Sequence, residues 1–209
     1  MTAPTTLRFT EEMKGYVAFD ETDYRAGFER GKADGTFLMF RLTIEADDVA
    51  RFVADPAHLG SAAGWVECQA LGGRCDVERG WFNLFVDSDE PDRKLMLYRL
   101  FFTDGAGHAL TLSGFKDVRD DPGIDLWRDT STLYTRILRG HVPPEEEDAA
   151  EIVAAGIITI HVVDFIQQLT TFRTTGPSLA ARAEGLAAFG RLFLGKLWDV
   201  YGRHVPEGA

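Results

Sequence analysis

Between Cys75 and His141 the chain alternates strand-length runs with turn-forming breaks: CDVERGWFNLFVD, KLMLYRLFFTD, HALTLSGFKDV and TSTLYTRILRGH. The runs are rich in Phe, Tyr, Val, Leu and Thr. The breaks, such as Ser88-Asp89-Glu90-Pro91-Asp92 and Asp104-Gly105-Ala106-Gly107, are turn formers. The pattern predicts an antiparallel meander, and neither of its faces is polar. Trp81, Asn83 and Phe85 share one face and Phe82, Leu84 and Val86 the other, while Leu95, Leu97, Arg99 and Phe101 alternate with Met96, Tyr98, Leu100 and Phe102. A sheet with one wet side would alternate apolar with polar residues. Both sides of this one are therefore expected to be covered, one by a barrel or sandwich interior and the other by a helix or a partner.

The same reading extends to the rest of the chain. Leu7 to Phe19 predicts an opening strand pair or one bent strand. Asp20 to Gly35 predicts a short helix with Asp20 or Thr22 as caps, and Phe37 to Ile44 a strand. Glu45 to Ala54 carries a helical stripe of Val49, Phe52 and Val53, and Gly64 to Ala70 reads as a strand closed by a turn at Gly72-Gly73. PPEEED, Pro143 to Asp148, predicts a long exposed loop, since two prolines and four acids do not enter a core. Ala150 to Val163 returns as a strand, and Asp164 to Arg173 as a short helix or last strand. The clearest helix starts at Pro177 or Ser178 and bears the stripe Leu186, Phe189, Phe193, Leu197 and Tyr201. That stripe is expected to cover the outer meander face near Leu95 to Phe102.

The expected fold is mainly β: an antiparallel meander closed as a lipocalin-like (calycin) β-barrel of eight to nine strands, preferred over a sandwich, with a C-terminal α-helix packed outside. The chain is read as one domain, with the barrel over 1–173 and a helical segment over 174–209. With 209 residues and 45% hydrophobic content, it has enough apolar mass for a sizeable core. A formal charge of -11 argues against nucleic acid as a partner, because phosphate contacts need clustered Lys and Arg. No run approaches the ~20 apolar residues of a membrane-spanning helix. No secretory leader is evident, so a cytoplasmic location is expected. Cys68 and Cys75 flank a hairpin turn, which leaves either a cross-strand disulfide or two reduced thiols open.

Chemistry is harder to find. Gly105-Ala106-Gly107 joins two strands and lacks the third glycine of a dinucleotide loop, and Ser113 lacks the glycine two residues earlier that a nucleophile elbow requires. The five histidines show no metal-ligand spacing, so neither a metal nor a cofactor is expected. His161, in the apolar run IITIHVV, is the low-ranking catalytic candidate. The candidate ligand-binding set is Trp81, Asn83, Tyr98, Arg99, Tyr134, Arg136 and His161, polar or amphipathic groups at mid-strand positions that need partners if they point inward.

Several phrases, among them FTEEMKGYVAF, ALGGRCDVERGWFNLFVD, LYRLFFTDGAGHALTLSGFKDV, QQLTTFR and FGRLFLGKLWDVYG, resemble a bacterial region that accompanies GMC-type, cholesterol-oxidase-like flavoprotein oxidoreductases. The chain carries no flavin-binding glycine fingerprint and no catalytic His/Asn or His/His pair of the kind such enzymes use, so the resemblance implies company with lipid-oxidising enzymes rather than oxidase activity. The first expectation is a non-catalytic binding or accessory domain for an apolar small molecule such as a sterol or another lipid, held in the lumen. The alternatives are a lumen-based isomerase, cyclase or hydrolase, and a structural domain that docks on an oxidoreductase or forms a homodimer.

Overall fold

A computed structural model describes residues 3–90, 93–119, 131–160 and 171–201. Strands β1 (Thr6–Phe19), β2 (Phe37–Ala46), β3 (Leu59–Cys68), β4 (Gly73–Asp87), β5 (Arg93–Thr103), β6 (Ala109–Arg119), β7 (Thr132–Arg139) and β8 (Ile152–Thr159) run in the order β2-β3-β4-β5-β6-β7-β8-β1, and β1 pairs back onto β2. The result is the expected closed eight-stranded antiparallel barrel. Closure depends on the length of β1. One edge pairs with β2 from Leu7 to Tyr16; the other pairs with β8 from Lys14 to Phe19 and, nearer its start, with a short outer strand β9 (Arg173–Thr175). The opening segment is thus one long strand.

Alternation decides which residues fill the barrel. Leu7, Phe9 and Met13 of β1, Leu38, Phe40 and Leu42 of β2, Phe82 and Leu84 of β4, and Met96, Leu100 and Phe102 of β5 are all buried in a single core. Phe40, Leu38, Leu42, Leu100 and Phe102 are 0% exposed. No water-sized space adjoins such side chains, so the lumen at their level is packed. A bulge between Asn83 and Val86, with Phe85 at φ 49, turns Phe85 inward beside Leu84.

Two short helices brace the outside. α1 (Tyr24–Asp34) is capped by Asp23, whose carboxylate accepts from the amides of Arg25 and Ala26, and not by Asp20 or Thr22. Asp20 instead takes a left-handed turn position at φ 56. α2 spans only Val49–Ala54, because Asp48 caps it and so starts the helix four residues later than the expected start at Glu45. PPEEED is not a long open loop: Pro144–Ala149 coils into a 3₁₀-helix.

The C-terminal helix α3 (Leu179–Tyr201) does lie outside the barrel wall, but its described side chains, up to Phe193, meet α2, β1 and the end of β4 rather than the outer face of Leu95 to Phe102. Phe189 meets Phe9, Phe52 and Phe172 with ring centroids 5.8–6.4 Å apart, and Phe193 meets Phe85 at 5.3 Å. The helix therefore closes one end of the barrel. Leu186 of the expected stripe remains 47% exposed, and Leu197 and Tyr201 lie beyond the described side chains.

Candidate functional site

Register brings most of the candidate residues together, on the outside. One cross-strand row runs Trp81, Arg99, Ser113, Arg136, and the next runs Asn83, Leu97, Phe115, Tyr134. Odd-numbered positions of β5 and β6 face away from the core, so Trp81, Asn83, Arg99, Tyr134 and Arg136 share the outer face of β4–β7, not the lumen. Tyr98 alone of the described candidates points inward. His161 lies outside the described residues.

On this face is a groove of about 350 Å³, lined by Trp81, Asn83, Leu95, Leu97, Arg99 and Phe115, with Arg93, Ser113, Pro144 and Glu147 at its margins. Its floor follows β5 from Arg93 to Arg99, about 20 Å of extended strand. The middle is apolar, with Leu95, Leu97 and Phe115 half-buried. Phe115 stacks on Tyr134 at 5.2 Å, and both meet Tyr24 of α1 edge-on. Arg136 lays its guanidinium over Tyr24 at 4.5 Å and donates to the carbonyl of Thr22. Burial raises the Tyr24 pKa, Arg136 draws it down and Glu147 adds to the rise. Asn83 donates to the carbonyl of Ala57, which fixes its amide.

Each end of the groove holds an arginine with a carboxylate. Arg93 makes a two-pronged bond to Asp117 at 2.8 and 3.2 Å and reaches Glu90 at 3.1 Å; the bond from Asp117 chiefly raises its pKa. Arg99 is 6% exposed. It donates to the carbonyl of Val142 at 2.7 Å, to the Ser113 hydroxyl at 3.3 Å and, at close range, to Glu147. Ser113 donates in turn to the Glu147 carboxylate at 2.9–3.0 Å. From sequence alone Ser113 reads as a plain strand residue and Glu147 as part of an exposed loop; only their pairing with Arg99 gives them a role.

A second polar cluster lies within the barrel. Glu11 on β1 accepts from Tyr98 at 2.8 Å and from Lys116 at 2.6 Å, and all three are 2% exposed. β1 and β5 stand four places apart in the closed order, so this bond spans the lumen. Burial, then the charge of Glu11, pushes the Tyr98 phenol well above its usual range. Neither Glu11 nor Lys116 is among the sequence candidates, although a lone Lys among the inward positions Leu110, Leu112, Gly114 and Val118 is a legible signal.

Cys68 and Cys75 are free, buried thiols, with burial raising the pKa of each. Among the described residues, no cluster of His, Cys, Asp and Glu is arranged to hold a metal, and no helix is long and apolar enough to cross a membrane. Comparison with protein-family models, with curated proteins and with solved structures found no match for this chain.

Proposed function

We propose that the chain is a non-catalytic binding or accessory domain for an apolar small molecule, a sterol or other lipid, taken up in the outer groove of β4–β6. The carrying observation is the half-buried apolar floor of Leu95, Leu97 and Phe115, which among the described residues lines a groove between two anchored arginines. Ligand sites are typically concave, mostly apolar and fitted with a few placed polar groups, at volumes of about 300–1,000 Å³. The groove has that composition and falls within that range. A lumenal site is favoured less, because large side chains and the Glu11–Tyr98 bond occupy the described interior. That consideration also weighs against a lumen-based enzyme. The resemblance to an oxidase-associated region supports lipid as the ligand class and an enzyme acting on lipids as the companion.

The test is a thermal-shift series with sterols, fatty acids and fatty alcohols, together with native mass spectrometry of the purified protein. At a ligand concentration of 100 Kd the fold should gain about 2.7 kcal/mol. Leu97→Lys, which places a charge on the groove floor without touching the core, should abolish the shift and leave the unliganded melting temperature nearly unchanged. A shift that survives Leu97→Lys would move the site elsewhere; no shift with any of these compounds would end the binding reading.

A further inference from the structure

We infer that Glu147 is an internal stand-in for a ligand carboxylate, so that the groove's ligand is a long-chain carboxylic acid whose head group displaces Glu147 from Arg99 and Ser113. The inference rests on the groove being the binding site and names the class of molecule that it takes. Three observations carry it.

The first is the donor set. A guanidinium and a hydroxyl converge on the two oxygens of Glu147, and both belong to the barrel wall at the end of an apolar channel. A fatty acid lying along Leu97 and Leu95 would present its carboxylate to the same two donors. Arg136, the next residue in the cross-strand row after Ser113, adds a second positive charge on that side.

The second is how Glu147 is held. The 3₁₀-helix Pro144–Ala149 buries none of its residues. Its backbone bonds, Glu146 to Pro143 and Ala150 to Glu147, are local. Among the described contacts, the hydrogen bonds that tie this segment to the barrel wall run through the Glu147 side chain. An incoming carboxylate would exchange with that of Glu147 and release a segment that buries no residue of its own.

The third is the burial of Arg99. A cation at 6% exposure is costly without an anion, even with the carbonyl of Val142 beside it. A neutral head group in place of Glu147 leaves that cost standing, whereas a carboxylate removes it. The pair thus selects charge: an alcohol must bind beside the closed Arg99–Glu147 pair, and an acid replaces it.

The experiment uses the full chain with decanoate and decanol, titrated calorimetrically against the wild type, Glu147→Gln and Arg99→Met. Glu147→Gln removes the competing charge and should tighten decanoate at least tenfold while changing decanol less than twofold. Arg99→Met should remove the preference for decanoate and leave decanol bound. Unchanged decanoate affinity in Glu147→Gln, or equal changes for acid and alcohol, would overturn the stand-in while leaving the groove as a site for neutral lipids. Should neither probe bind any variant, the groove reading and this inference fall together. Circular dichroism confirms that each variant is folded; if Glu147→Gln is not, the Arg99→Met result decides.

Discussion

Lys116 and Glu11 set the terms at the residue scale. Each is nearly inaccessible, and each is tolerable only because the other is 2.6 Å away. Removing one partner leaves an uncompensated charge in a packed interior, at a cost of about 3–5 kcal/mol. Lys116→Met alone should therefore lower the urea midpoint strongly. Glu11→Leu, Lys116→Met and Tyr98→Phe together should recover most of the loss, since the apolar replacements leave no orphaned donor or acceptor. A mild single variant would mean that water reaches the cluster. Arg99 poses the same problem on the outer face, solved by Glu147, Ser113 and Val142.

At the element scale, α1 shows packing overriding local preference. Gly27 and Gly31 lie against the barrel so closely that an added Cβ would sit 2.1 Å from the carbonyl oxygens of Ala155 and Val17. Helix propensity alone makes Gly31→Ala stabilising by about 1 kcal/mol. The close approach reverses the sign, and a loss of about 1–3 kcal/mol is expected as α1 is forced off β1. Gly35→Ala serves as the control. That C-cap residue has φ 73 and open space around it, so its loss of about 1–2 kcal/mol comes from backbone strain alone. Chemical denaturation of the two variants separates the causes, because only Gly31→Ala should disturb the environment of Tyr16, which meets Phe28 of α1 at 6.1 Å.

The whole molecule is a barrel with one end sealed by a helix. Phe9, Phe52, Phe85 and Phe172 form the rim that Phe189 and Phe193 cover. A chain stopped at Gly176 should keep its strand signature in circular dichroism, since β1 to β9 precede the cut, but should bind a hydrophobic dye and melt earlier. An unchanged melting temperature without dye binding would show that α3 contributes little to closure. The residues that line the groove all precede Gly176, so the thermal shift that Leu97→Lys abolishes should survive the truncation if the chain stays folded.

The sequence by itself determined the meander and its alternating faces, because period-two burial and turn residues are local properties that pairing only has to honour; it favoured a barrel over a sandwich, and the β1–β2 pairing closed it. It also marked Trp81, Asn83, Arg99, Tyr134 and Arg136 as unusual, since polar groups in apolar strands stand out without coordinates. Which side they face was not legible: both faces of β4 and β5 are apolar, so alternation carries no sign until closure decides which face curves inward. Only the tertiary structure set Glu11 beside Lys116, 105 residues apart, and Glu147 beside Arg99, 48 apart. It also sent α3 to the barrel's end, where Phe189 and Phe193 meet the rings of Phe9, Phe52, Phe85 and Phe172. Pairings over such separations depend on strand register and closure, which no local pattern encodes.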